Sequence, residues 1–110
     1  MQRTVTSILT TGAGAVALSV LHLSAAVAAT PPELLTKYNC QACHAVDKKL
    51  VGPAYKDVAA KYAGDASALE KLEQKVKTGG SGVWGAMPMP PNNVPDSDLK
   101  TMVEWVLAQK

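Results

Sequence analysis

Cys40-Gln41-Ala42-Cys43-His44 constrains this chain more than any other stretch, because two thiols three residues apart with an imidazole directly after them suit very few arrangements. The 110 residues contain no other cysteine and only one other histidine, His22. They also contain no phenylalanine. A short chain without phenylalanine has a modest core that is marginal on burial alone, so a staple is expected, and these two cysteines are the obvious place to look for it.

The length that can fold is set by the N-terminus. Arg3 is followed from Val5 to Ala29 by a mostly apolar stretch without acids that ends in small residues, which is the pattern of a secretory leader. Thr4, Thr6, Ser7, Thr10, Thr11, Ser19, His22 and Ser24 interrupt it, so the apolar run is short for a membrane anchor. Ala26-Val27-Ala28 offers an A-x-A cleavage site, which makes residues 1–28 a signal peptide and residues 29–110 one domain of 82 residues. Cleavage one residue later, before Thr30, is equally compatible. Arg3 and His22 leave with the leader, and ten lysines then face nine acids, a net charge of +1. So even a balance gives no electrostatic footprint for nucleic acid or for an anionic membrane surface.

Four helical segments are legible in residues 29–110. Thr30-Pro31-Pro32-Glu33 combines a capping hydroxyl, prolines in the first turn and a glutamate placed to close a capping box, so a first helix starts there and runs toward Cys40. After the break at Gly52-Pro53, Tyr55, Val58, Ala59 and Tyr62 recur at helical spacing until Gly64. Asp65 and Ser67-x-x-Glu70 open a third helix, whose Leu69, Leu72 and Val76 share a face before Gly79. From Thr78 to Pro95 glycine, proline and asparagine forbid regular structure, and a loop so long in a compact domain is usually functional. Asp96 and Asp98 in a first turn and the stripe Leu99, Met102, Val103 and Val106 mark a last helix that reaches nearly to Lys110. No strand pattern and no internal repeat appears.

In that all-helical, exported setting the C-x-x-C-H run reads as a haem attachment site: Cys40 and Cys43 add to the two vinyl groups, and His44 faces the iron. Residues three apart on a helical turn lie on one side, so both sulfurs reach the porphyrin edge. Three other uses fit less well. A disulfide would close too small a ring to stabilise much. A thioredoxin-like redox pair needs alternating strands and helices. A zinc site needs a fourth ligand that the processed chain, with two cysteines and one histidine, does not supply.

His44 being the sole remaining histidine excludes bis-histidine ligation within one chain, and thioether sulfur is the natural second donor. Met102 falls on the apolar stripe of the last helix and reads as core. Met89 stands between Pro88 and Pro90-Pro91 in the long loop, where fixed φ angles can hold a thioether against iron, and it is chosen over Met87, which stays a rival. A His44–Met89 pair favours ferrous iron over a second imidazole, implying a comparatively high reduction potential, and filled axial positions argue against oxygen activation.

Cys40 to His44, Val51-Gly52-Pro53-Ala54-Tyr55-Lys56-Asp57-Val58-Ala59, Val83-Trp84-Gly85-Ala86-Met87-Pro88-Met89-Pro90-Pro91-Asn92 and Trp105 to Lys110 together closely resemble the cytochrome c-551 family, short class I bacterial cytochromes c, over essentially all of residues 29–110. The resemblance implies an all-α class I cytochrome c fold, about four helices wrapped around one covalently attached haem c. It implies that Pro53 offers its carbonyl to His44 Nδ1, that Asn92 hydrogen-bonds near the Met89 sulfur, and that Trp84 donates to a haem propionate while Trp105 fills the core between the terminal helices. Lys75 stands where family members often carry arginine near a propionate, and lysine makes a less directional contact. Met87 stands where a plain aliphatic residue is expected.

The resemblance further implies a soluble, monomeric, periplasmic one-electron carrier, not an enzyme. It would shuttle in respiration or denitrification between a membrane cytochrome complex and a nitrite reductase, terminal oxidase or peroxidase. Lys37, Lys48, Lys49 and Lys56 could rim its transient contact patch around an apolar centre. Two other functions are conceivable: Met89 could dissociate so that iron binds a gas or peroxide, or the chain could be a subunit of a larger oxidoreductase.

Overall fold

The computed structural model describes residues 11–110. Part of the leader expectation, residues 1–10, lies outside the described residues. Residues 11–30 have no regular secondary structure, and their apolar side chains stay in solvent: Leu18 is 87% and Leu23 91% exposed. No helix among the described residues is long and apolar enough to cross a membrane.

The folded part is a four-helix array: α1 (Pro31–Lys37), α2 (Tyr55–Lys61), α3 (Ala68–Thr78) and α4 (Asp96–Leu107), with a 3₁₀ turn at Cys40–Ala42. Among the described residues there is no strand, only isolated bridges between His44 and Lys49 and between Gly80 and Met89. Helix α4 is the hub and packs against each of the other three. Its Leu99, Met102 and Val103 are buried with Leu34 and Leu35 of α1, Tyr55 of α2 and Val94 of the preceding loop. Leu69, Leu72 and Val76 of α3 are only half-buried against this cluster, and Leu72 and Val76 line a cavity beside it.

Each helix end has a local cause. The Glu33 carboxylate accepts hydrogen bonds from the Thr30 backbone N–H (2.7 Å) and hydroxyl (2.9 Å), which opens α1 as its sequence requires. Ser67 does not form the expected box with Glu70. Asp65 takes that role instead, accepting from the Ser67 N–H at 2.9 Å and its hydroxyl at 2.7 Å, with Lys71 on its other oxygen at 2.8 Å. Those three donors hold the Asp65 carboxyl down at about 2.

Helix α1 is also shorter than expected. It stops at Lys37 because Asn39 takes a left-handed conformation (φ 60°), which asparagine tolerates better than most residues, and Asn39 N–H turns back onto the Thr36 carbonyl at 3.1 Å. The cysteines therefore sit on a separate 3₁₀ turn. Cys40 opens that turn and Cys43 caps it, with the Cys43 N–H donating back to the Cys40 carbonyl at 3.2 Å.

Candidate functional site

Both sides of the site begin in backbone bonds. His44 N–H and Cys43 N–H both donate to the Cys40 carbonyl, at 3.0 and 3.2 Å, so the histidine leaves the turn in a fixed direction. The chain then doubles back: Gly52 N–H donates to the Cys43 carbonyl at 2.7 Å, and Tyr55 N–H to the Ala45 carbonyl at 2.9 Å. That return brings the Pro53 carbonyl 2.8 Å from His44 Nδ1, which donates to it and leaves Nε2 as the free donor atom. The tautomer follows from the partner, since a carbonyl can only accept.

Two further residues press on the imidazole, and sequence reasoning missed the role of each. A Cβ on Gly52 would run into the His44 ring, coming within 2.8 Å of Nδ1, so only glycine fits. The Tyr55 ring stacks on His44 with centroids 5.4 Å apart and planes 20° from parallel, and meets Trp105 edge-on at 5.8 Å. Gly52 was visible only as a chain break and Tyr55 only as one residue of a helical face, since neither role involves neighbours in sequence. The Tyr55 hydroxyl is buried and has no hydrogen-bond partner, and burial pushes its phenol above the ordinary range.

The other side of the site is the loop after α3. Gly80 and Met89 exchange two backbone hydrogen bonds, at 3.0 and 2.9 Å, and Asn92 N–H ties the loop's far end to the Val76 carbonyl at 2.8 Å. Gly79 (φ +69°) passes so close to the Met89 carbonyl and to Pro90 that a side chain there would collide with backbone. The Asn92 amide donates to the Pro90 carbonyl at 2.8 Å, bracing the segment just after Met89. Trp84 is 41% exposed and carries Lys61 Nζ 5.2 Å from its ring centroid. Lys75 Nζ reaches toward Gly80.

Between these two sides lies a cavity of about 630 Å³, in the range of sites for a cofactor or drug-sized ligand. Cys40, Cys43, His44, Met89, Trp84 and Lys75 all line it, as do Pro53 and Asn92, and the apolar faces of α3 and α4 supply Leu72, Val76, Leu99 and Val106. Cys40 and Cys43 are free thiols, and burial pushes the Cys40 thiol up. No group of three or more His, Cys, Asp or Glu side chains capable of holding a metal ion exists among the described residues. Soft and imidazole donors arrive instead singly, from two different segments, at the edge of an apolar space. That donor set fits a flat apolar group bearing its own metal, and the unpartnered Tyr55 hydroxyl is consistent with a space shaped for something beyond the polypeptide.

Fold and site together define a small all-α haem domain. The comparisons agree: the cytochrome c family model matches residues 29–110. Cytochrome c-551 of Pseudomonas aeruginosa is 58% identical over 83 residues, covering 74% of this chain and 80% of that protein. Cytochrome c-551 of Azotobacter vinelandii is 53% identical over 81 residues, covering 74% of this chain and 99% of that protein. The crystal structure of wild-type Nitrosomonas europaea cytochrome c552 superposes with a TM-score of 0.69 at 54% identity, covering 72% of this chain and 99% of that one. The chain belongs to the cytochrome c family, in its cytochrome c-551 branch, and its cofactor is one haem c held by Cys40 and Cys43.

Proposed function

We propose that the chain is a periplasmic one-electron carrier whose iron is ligated by His44 and Met89. The observation that carries this reading is the fixed His44 ring, with Nδ1 committed to Pro53, at the edge of a cavity that Met89 also lines. Haem iron, once bound, supplies the one-electron change. The protein's residues do the rest. Pro53 raises the basicity of the imidazole and Tyr55 holds its plane. The apolar faces of α3 and α4 exclude water. Trp84 and Lys75 stand where a propionate would need a donor and a positive charge. Were His44 and Met89 both to hold the iron, no open place would remain for a substrate, which favours transfer through the haem edge over catalysis.

Leu50, Val51, Val83 and Met87 are 44%, 49%, 45% and 67% exposed, and Lys37, Lys48, Lys49 and Lys56 are exposed around the attachment segment. An apolar centre with a cationic rim suits brief docking onto acidic faces of redox proteins, such as a membrane cytochrome complex as donor and a nitrite reductase, oxidase or peroxidase as acceptor. Export is supported by the position of the family match, which begins at Ala29, and by the solvent-exposed apolar leader. Mass measurement of protein from the periplasm should give a chain starting at Ala29 or Thr30.

The direct test is redox cycling of the purified holoprotein. One electron per iron, taken up and released reversibly, with only slow carbon monoxide uptake by the reduced form at neutral pH, is the expected result. Rapid carbon monoxide binding would overturn the electron-carrier reading in favour of a ligand sensor.

A further inference from the structure

Met87 has no part in the iron ligation proposed above, yet it lines the same cavity as Met89. It is 67% exposed, and no backbone hydrogen bond among the described residues involves it. Met89, by contrast, is half-buried and clamped to Gly80. The two share one local pattern, because the loop repeats a dipeptide: Met87-Pro88, then Met89-Pro90. A residue before proline is pushed toward extended backbone, and in an extended segment residues two apart face the same side. A slip of two residues against Gly80 would thus put Met87 where Met89 stands, with the same backbone donors and acceptors and again a proline following. Slack exists upstream, where Gly82 (φ +100°) and Gly85 (φ +115°) form a turn joined by a 2.7 Å hydrogen bond from Gly82 N–H to the Gly85 carbonyl.

We propose that Met87 is a reserve iron ligand: when Met89 leaves the iron, the Met-Pro repeat slips by two residues and Met87 takes the vacated place, keeping the iron closed to outside ligands. This rests on the haem reading, and coloured wild-type holoprotein with a thioether-to-iron charge-transfer band tests that reading separately. The experiment compares holoprotein of wild type, Met87→Leu, Met89→Ala and the double variant Met87→Leu/Met89→Ala. Expected are an unchanged band in Met87→Leu, a weakened but surviving band in Met89→Ala, and its loss in the double variant. Equal loss in Met89→Ala and the double variant overturns the proposal. Loss in Met87→Leu alone also overturns it, since Met87 would then be the resident ligand.

Should Met89→Ala fail to accumulate, Met87→Leu decides the matter in a chain that keeps Met89. Carbon monoxide binding to the reduced protein, slow in wild type, should become several-fold faster once the reserve thioether is gone. An unchanged rate contradicts the proposal.

Discussion

The histidine side and the methionine side of the cavity are built on different principles. Around His44, short-range backbone bonds, the Pro53 carbonyl, the Gly52 close approach and the Tyr55 stack all fix one side chain, so its position is determined several times over. Around Met89 the loop from Gly79 to Pro95 is largely exposed, holds four glycines and is tied down at only a few points: the Gly80 pair, Asn92 N–H on Val76, and Trp84 under Lys61. With His44 and Met89 as the proposed ligands, disturbances of the site should show first as loss of sulfur ligation. That division of labour suits a group attached through Cys40 and Cys43, because covalent bonds already fix the histidine side.

The strongest challenge to this contrast is Gly52→Ala. Its methyl group has nowhere to go except into the imidazole, and overpacking of this kind costs about 1–3 kcal/mol or more. Holoprotein yield and thermal stability should both fall sharply. Wild-type-like stability would show that the histidine side is less tightly built than its contacts indicate.

Gly79→Ala should come next. Its φ of +69° with ψ of −161° lies in a region essentially only glycine populates, a penalty of about 1–3 kcal/mol for the conformation alone, and its added methyl would also meet the Met89 carbonyl. The sulfur band should weaken and carbon monoxide binding should speed up, while the histidine side is untouched. Equal damage to both sides would erase the distinction drawn between them.

Lys61→Ala removes the cation above the exposed Trp84 ring and should cost only about 0.5–1 kcal/mol, read as a small increase in loop hydrogen exchange. The smallest effect concerns Asp65, away from either side of the cavity. Its folded pKa is depressed to about 2 from the ordinary 3.8, so the carboxylate contributes stability above pH 4 that is lost as pH falls through 4 toward 2. The difference in melting temperature between wild type and Asp65→Asn should therefore be present at pH 5 and shrink by pH 2. A difference that is independent of pH would rule out the capping role.

Most of the fold was legible because it follows local chemistry. Helical spacing, the Thr30–Glu33 box and the glycine stops place all four helices, and Leu99, Met102 and Val103 are buried where their stripe predicts. What local pattern did not carry is equally specific. Asn39 ends α1 early through its own backbone conformation, and Asp65 outcompetes Glu70 for Ser67 because it forms a tighter turn two residues away. The haem-holding cysteines were legible from spacing, because that spacing is their chemistry. Tyr55 and Gly52 were not, since the sequence does not state which residue a returning chain segment will press against.

Attachment of the prosthetic group is best examined by intact mass of the purified protein, before and after extraction with acidified organic solvent. One haem should remain on the polypeptide through extraction, with neither Cys40 nor Cys43 open to alkylation. A colourless chain whose two thiols both alkylate would contradict the structure's central assignment.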